Sequence, residues 1–484
     1  MKCKPIYVCT CLVMGVFACN NQENVQKEIP VTTSSDEALE VFIEARNHWE
    51  LWEDNQAAVL FDSAIALDPE FAMAYFYRAF SGGGANVFNE HIEKAAALAD
   101  NISPGEQLLV EIAMSRLEQR GAEMKVLTDS LLRMYPEDKR LYLFLGGWNL
   151  NSDEDEQLAY YKKAFALDSN FFPVYPYLID HYIDEKEYGT ARIYAEKFIE
   201  NLPESPEGYR RMGILERYLG NDQEALEMLK KSAEIQHTPY IETTIGQTYI
   251  LQKEYEKARE HFSKNLNKNE QLSTRLNALW NIGVSYLYER NEEKALQSFA
   301  EMRTLAEEEG VNTSVVWSYL YQAQTVFMFK DYEKMSDYLD PAEKAIQNLD
   351  FEARSRRNLQ KILLRYRGLE AIGMDDLEAA GNYYDEFKSR TKDNGIAADA
   401  KASNFDQGYL AYNRGNYEKA VERYKKAFEG IFADYFLALA YLDMGEPDQA
   451  RPLLENVAAS RDVGMNNAFL VDWAKEKLEE LETS

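Results

Sequence analysis

The chain has 484 residues, with 53 lysines and arginines against 82 aspartates and glutamates, for a formal net charge of −29. A balance of that sign disfavours nucleic acid and other polyanions as partners, because phosphate binding is built on an excess of Lys and Arg. All four cysteines (Cys3, Cys9, Cys11 and Cys19) precede residue 20, so the body of the protein can form no disulfide and carries no nucleophilic thiol.

Residues 1–18 carry Lys2 and Lys4 and then an apolar run from Ile6 to Ala18. The run is too short to span a bilayer as a stable helix and fits the hydrophobic region of a secretory signal. It ends Val16-Phe17-Ala18-Cys19, which resembles the bacterial lipoprotein signal, with Phe17 where that family more often has Ala or Ser. The resemblance implies cleavage before Cys19 and lipidation of Cys19 on its sulfur and new amino terminus. With Asn20 next, it also implies an outer-membrane lipoprotein of the cell envelope, facing either the periplasm or the surface. An ordinary secretory peptide cut near Ala18 is the alternative. Residues 19–36 would then be the acylated cysteine and a flexible tether: they are polar, contain one proline and have little to bury. A coil of that length reaches about 20 to 25 Å.

From residue 37 the chain repeats itself. Gly246, Tyr249, Ala258 and Phe262 recur as Gly283, Tyr286, Ala295 and Phe299, with the same spacings. A small residue facing another small residue twelve positions later is what two antiparallel helices need if their backbones are to touch. The phenylalanines are expected to wedge toward the neighbouring unit. The same phase is found before this pair in Ala45 with Ala57 and Phe61, Gly146 with Tyr161, Leu178 with Ala191, and Gly213 with Ala225 and Leu229. It continues afterwards in Ala323 with Met335 and Leu339, Gly368 with Ala380 and Tyr384, Gly408 with Ala420 and Tyr424, and Ala438 with Ala450 and Leu454. A hairpin of this kind cannot bury its apolar face alone, so copies must stack.

This pattern resembles the tetratricopeptide repeat (TPR) family over roughly residues 37–460. The resemblance implies an all-α fold: a right-handed α-α superhelix of about twelve helical hairpins. We expect an N-terminal array over 37–310, a softer joint at Glu308-Glu309-Gly310, and a C-terminal array over 311–460. Another break is expected at Lys392-Asp393-Asn394-Gly395. A capping helix should lie within 461–484, with Phe469, Leu470, Trp473, Leu478 and Leu481 on one face.

No catalytic constellation appears. The five histidines show no metal-ligand spacing, and neither His-Glu-x-x-His nor Gly-x-Ser-x-Gly occurs. Gly82-Gly83-Gly84 lacks the Lys-Ser/Thr of a phosphate loop and reads as a distorted turn. The acids Asp153 to Glu156 do not have the spacing of a calcium loop. The expectation is therefore a binding protein, not an enzyme, without metal or cofactor.

In the family, the first helix of each unit lines the concave groove. Counting from the small residues places Arg210, Arg217, Tyr240, Asn277, Trp280, Tyr288, Trp317, Arg365, Tyr409, Tyr412 and Asn413 on that surface. Aromatics with an occasional Arg or Asn make a recognition surface. The resemblance implies a protein or peptide segment as the partner. The alternative is a glycan-binding lipoprotein of the starch-utilisation type, with Trp280 and Trp317 stacking on sugars.

Overall fold

The computed structural model describes residues 27–82, 84–118, 120–148, 154–268, 270–349, 353–391 and 397–483. The signal segment, Cys19, the tether as far as residue 26 and the break at 392–395 lie outside the described residues. Among those described there are 25 α-helices and no strand. The first six hairpins pair α1 (Asp36–Glu50) with α2 (Asp54–Leu67), α3 (Ala72–Ala79) with α4 (Gly84–Ala97) and α5 (Pro104–Leu117) with α6 (Gly121–Met134). They continue with α7 (Lys139–Trp148) and α8 (Glu154–Leu167), α9 (Tyr175–Asp184) and α10 (Tyr188–Asn201), and α11 (Pro206–Tyr218) and α12 (Asp222–Ile235). The next three are α13 (Pro239–Leu251) with α14 (Tyr255–Lys264), α15 (Leu272–Tyr288) with α16 (Glu292–Glu308), and α17 (Asn312–Met328) with α18 (Met335–Gln347). The last three are α19 (Ala353–Gly373) with α20 (Leu377–Thr391), α21 (Ala397–Asn413) with α22 (Tyr417–Tyr424), and α23 (Ile431–Asp443) with α24 (Pro447–Ala458). A single helix, α25 (Asn467–Thr483), ends the chain.

Local chemistry sets the helix ends. Pro104, Pro206, Pro239 and Pro447 stand in the first turn of α5, α11, α13 and α24, where the missing N–H is no loss. Ser103 and Glu106 form a reciprocal capping box at α5, and Thr238, Asn291 and Asn416 cap α13, α16 and α22. Among the described residues, ten of the turns inside the hairpins hold one left-handed residue, as at Gly220, Lys253, Lys330 and Gly415. A side chain in that region costs roughly 1 to 2 kcal/mol, so turn geometry, not residue preference, decides the conformation.

The repeated small and large positions form the core. Ala57, Phe61, Ala191, Ala225, Leu229, Ala258, Phe262, Ala295, Phe299, Ala380, Ala420, Ala450 and Leu454 are all fully buried. Phe262 and Phe299 reach the next unit, as expected: the Phe299 ring stands 5.6 Å from Tyr321 of α17, and Phe262 shares a cluster with Ile282 and Tyr288 of α15. Each ring also lies against the glycine of its own hairpin. A Cβ placed on Gly283 would sit 2.6 Å from Cε1 of Phe299, and one on Gly246 would come closer still to Phe262. Gly213 meets Leu229 and Gly408 meets Tyr424 in the same way, with 2.7 Å and 2.9 Å available. The large residue sixteen positions on fills the space that the missing Cβ leaves.

Buried polar groups add a second tier of contacts. Glu242, on α13 and almost wholly enclosed, is met by His237 Nε2 at 2.7 Å, His261 Nδ1 at 2.6 Å and Lys264 Nζ at 3.0 Å. Burial works to raise its pKa, but the hydrogen bonds from His261 and Lys264 outweigh burial and hold it down to about 2. A carboxyl depressed on folding contributes stability above its ordinary pKa, and loses it as pH falls through the folded value. Glu242→Gln is therefore expected to cost about 2 kcal/mol at pH 7 and little near pH 2. Denaturant titrations of both proteins at several pH values between 2 and 7 check this.

Both ends of the chain dock onto the array. Residues 27–35 run across the first four hairpins. The backbone N–H of Ile29 donates to Asp138 Oδ2 (2.8 Å), that of Thr32 to Glu106 Oε1 (2.7 Å), and that of Ser34 to Asp68 Oδ2 (3.0 Å). All three acceptors are buried carboxylates. This part of the stretch read as a tether is thus a strap. At the other end, α25 packs Leu470 and Ala474 against α23 and α24, as a cap should. The turn before it also folds back onto hairpins six to nine. Arg461 donates from Nε to the carbonyl of Arg217 (3.0 Å) and pairs with Asp222; Arg290 donates to the carbonyl of Ala468 (2.6 Å); Gln324 donates to Asn466 Oδ1 (2.8 Å). Met465, Ala468 and Phe469 share a cluster with Val284, Leu287, Phe299 and Met328. The capping helix is also a clasp.

Candidate binding surface and pocket

The eleven residues expected on the inner groove meet three fates. Tyr240 is 75% exposed, and Asn277 and Asn413 are also open to solvent. Others are engaged within the array. Arg210 forms a two-pronged pair with Glu207 (2.7 and 2.6 Å), and Arg365 forms one with Asp406 (2.7 and 2.9 Å). Tyr412 donates to Asp443 (2.6 Å), and Tyr409 packs edge-on against Phe436 with centroids 5.0 Å apart. Trp280 and Trp317 both pack on Tyr321, edge-on at 6.3 Å and stacked at 5.8 Å. The third group faces the C-terminal clasp. Arg217 is buried with its carbonyl on Arg461, and the Tyr288 hydroxyl donates to the carbonyl of Asp462 (3.2 Å). These two positions line a groove that the chain itself fills.

An open site lies elsewhere, where the superhelix brings five hairpins together. Trp49 at the end of α1 stacks on Phe144 of α7 (5.3 Å), and Trp52, in the first turn, meets Tyr177 of α9 (5.3 Å). Between them is a cavity of about 430 Å³, completed by Phe80, Phe88 of α4, Trp148 of α7 and Arg116 of α5. The Trp49 indole N–H donates to the carbonyl of Phe80 (3.3 Å), which fixes one wall. A smaller cavity of about 240 Å³ adjoins it across Tyr177 and is lined by Tyr161, Asp180, His181, Asp184 and Glu185. Tyr161 and Tyr177 stack at 4.2 Å to form the partition.

Two carboxylates reach the larger cavity. Glu50 is held by Arg140 (2.5 Å) with Arg46 at 3.9 Å. No hydrogen bond or ion pair joins the side chain of Asp54, the first residue of α2, to another described residue, and burial pushes its pKa up to about 6. Because the folded value lies above the ordinary one, protonated Asp54 stabilises the fold at low pH, and that contribution fades as pH rises from about 4 through 6. At neutral pH the protein thus holds a half-buried carboxylate whose charge works against folding.

No repeat spacing in the sequence singles out Trp52. The other pocket residues come from hairpins whose approach depends on the superhelical path, and no spacing in the sequence encodes it. Among the described residues no group of His, Cys, Asp and Glu is arranged to hold a metal ion, and no helix is long and apolar enough to cross a membrane.

Together these features define a superhelix of tetratricopeptide-type hairpins with an aromatic pocket where the first five hairpins meet. No family model matches the sequence, and no curated protein matches it. Among solved structures, the chain is similar to a tetratricopeptide repeat protein from Parabacteroides merdae (17% identity, 56% of this chain and 98% of that one, TM-score 0.36). It is also similar to yeast Tom70 (13% identity, 92% and 96%, TM-score 0.40). A third similar structure is a Rap protein complexed with Competence and Sporulation Factor (13% identity, 84% and 100%, TM-score 0.40).

Proposed function

We propose that this protein is a lipid-anchored scaffold of the bacterial cell envelope that holds a segment of a partner protein on its inner face and performs no catalysis. The observation that carries the binding half is the pocket between Trp49, Trp52, Phe144 and Tyr177. It is concave, ring-lined and open, and it contains one ionisable group without a counter-charge. The lipid half rests on the Val16-Phe17-Ala18-Cys19 sequence and on the physical need for two or more acyl chains for stable anchoring.

Each half has its own test. Cys19→Ser is expected to release the protein from carbonate-washed membranes into the soluble fraction and to abolish incorporation of labelled palmitate. Unchanged membrane retention would remove the anchor. For binding, a photo-crosslinking amino acid placed at Trp52 in intact cells should give a discrete protein adduct that is absent when the probe sits at exposed Val126. Adducts to polysaccharide alone would instead favour a glycan ligand stacking on the same rings.

A further inference from the structure

Resting on the binding reading above, we propose that the pocket selects a cationic side chain: a lysine or arginine of the partner segment lies along the rings of Trp52 and Tyr177 and sets its charge against Asp54.

The argument begins with what the pocket lacks. The Asp54 side chain lines the same cavity as Trp49, Trp52, Phe144 and Tyr177, and no described cation pairs with it. The other charged groups around it are accounted for. Glu50 is neutralised by Arg140 and Arg46 from α7 and α1. Asp180 on α9 is met by Arg211 at 2.6 Å. Arg116 on α5 is already engaged. Beyond the Tyr177 partition, Asp180, Asp184 and Glu185 give the adjoining cavity an acidic lining, with His181 the one titratable base among its lining residues.

The rings supply the second element. Trp52 is held at the tip of its turn in a left-handed conformation (φ 67°) and remains 37% exposed, with its ring 5.3 Å from Tyr177. An indole and a phenol at this spacing offer π-faces to a cation, and long basic side chains lay their methylenes on such surfaces while the head finds a carboxylate. A neutral apolar guest would cover Asp54 more deeply without pairing it, and an anion would be repelled. The overall charge of −29 draws basic segments toward the protein before contact.

The test uses the full-length protein in detergent micelles at 150 mM salt, with fluorescence anisotropy of a labelled hexapeptide of alternating lysine and leucine. The same peptide with every lysine Nε-acetylated is the control. The lysine peptide should bind at least tenfold more tightly than the acetylated one. Asp54→Asn, a neutral isostere whose folding is checked by circular dichroism, should remove that difference without weakening the acetylated peptide. Between pH 7.5 and 5.0 the wild-type protein should lose affinity for the lysine peptide as Asp54 protonates. His181, Arg116 and the acids of the adjoining cavity also stand near the pocket, so the component abolished by Asp54→Asn isolates the proposed group. Equal binding of both peptides, or indifference to Asp54→Asn, overturns the cation. If in that case Trp52→Ala still abolishes binding of both, the pocket remains a protein-binding site with a different preference. Binding of neither peptide overturns the proposal, and retention of maltohexaose at the pocket would overturn the binding reading as well.

Discussion

Gly283→Leu is expected to lower stability by about 3 kcal/mol or more, the upper part of the range for overpacking a closed core. Gly283 is buried where α15 crosses α16, and even a Cβ there would stand 2.6 Å from the ring of Phe299. The ring cannot retreat easily, because Phe299 is itself fully buried in the cluster that includes Val284, Leu287 and Phe469. The helices must therefore separate or the ring must leave its rotamer. A double-mutant cycle sharpens the expectation. Phe299→Ala alone should cost about 3 to 5 kcal/mol as a cavity, but combined with Gly283→Leu the two losses should be far from additive, since the new side chain enters the vacated space. Denaturant unfolding of the four proteins measures this, and simple additivity would mean that the two residues do not touch.

Phe469→Ala is the second large effect, expected at about 3 to 5 kcal/mol. The ring is 97% buried (3% exposed), stands edge-on to Phe329 at 5.2 Å, and lies under the Arg290 guanidinium at 4.3 Å. Its loss opens the clasp at hairpins eight and nine while also weakening the cap on α23 and α24. Hydrogen exchange should therefore accelerate in α15 and α17 as well as in the last hairpin. In a strictly linear stack, damage at residue 469 would stay within the final unit. Exchange confined to α23, α24 and α25 would show that the clasp contributes nothing to the middle of the array.

The hairpins themselves were legible because their determinants are local. Gly246 with Ala258 and Phe262, or Gly408 with Ala420 and Tyr424, carry the crossing geometry within about sixteen residues. That Phe262 and Phe299 reach the next hairpin was readable as well, but the spacing does not show that each ring also fills the gap beside its own glycine. The apolar face of α25 was readable, yet its second surface was not: Arg461, Met465 and Asn466 carry no pattern that names Asp222, Met328 or Gln324 as neighbours. The same holds for residues 27–35, whose polar composition suited a tether while three distant carboxylates were waiting to bind their backbone. Groove positions such as Arg217 and Tyr288 were placed on the inner side by counting, but counting does not say that the chain's own end occupies it. The aromatic pocket depends on how far each hairpin rotates relative to the last, a sum of small angles that no single residue records.

The long separation of the clasp contacts has a consequence for biosynthesis. Residues 461–469 bind segments that precede them by 140 to 244 positions in the chain. Hairpins six to nine therefore leave the ribosome with one apolar face bare, and on the order of ten seconds of synthesis pass before the covering residues emerge. During that interval Val284, Leu287 and Met328 form an adhesive surface that only a chaperone or an early nonspecific collapse can shield. Ribosome-bound chains halted near residue 450 should accordingly be the most aggregation-prone lengths of this protein.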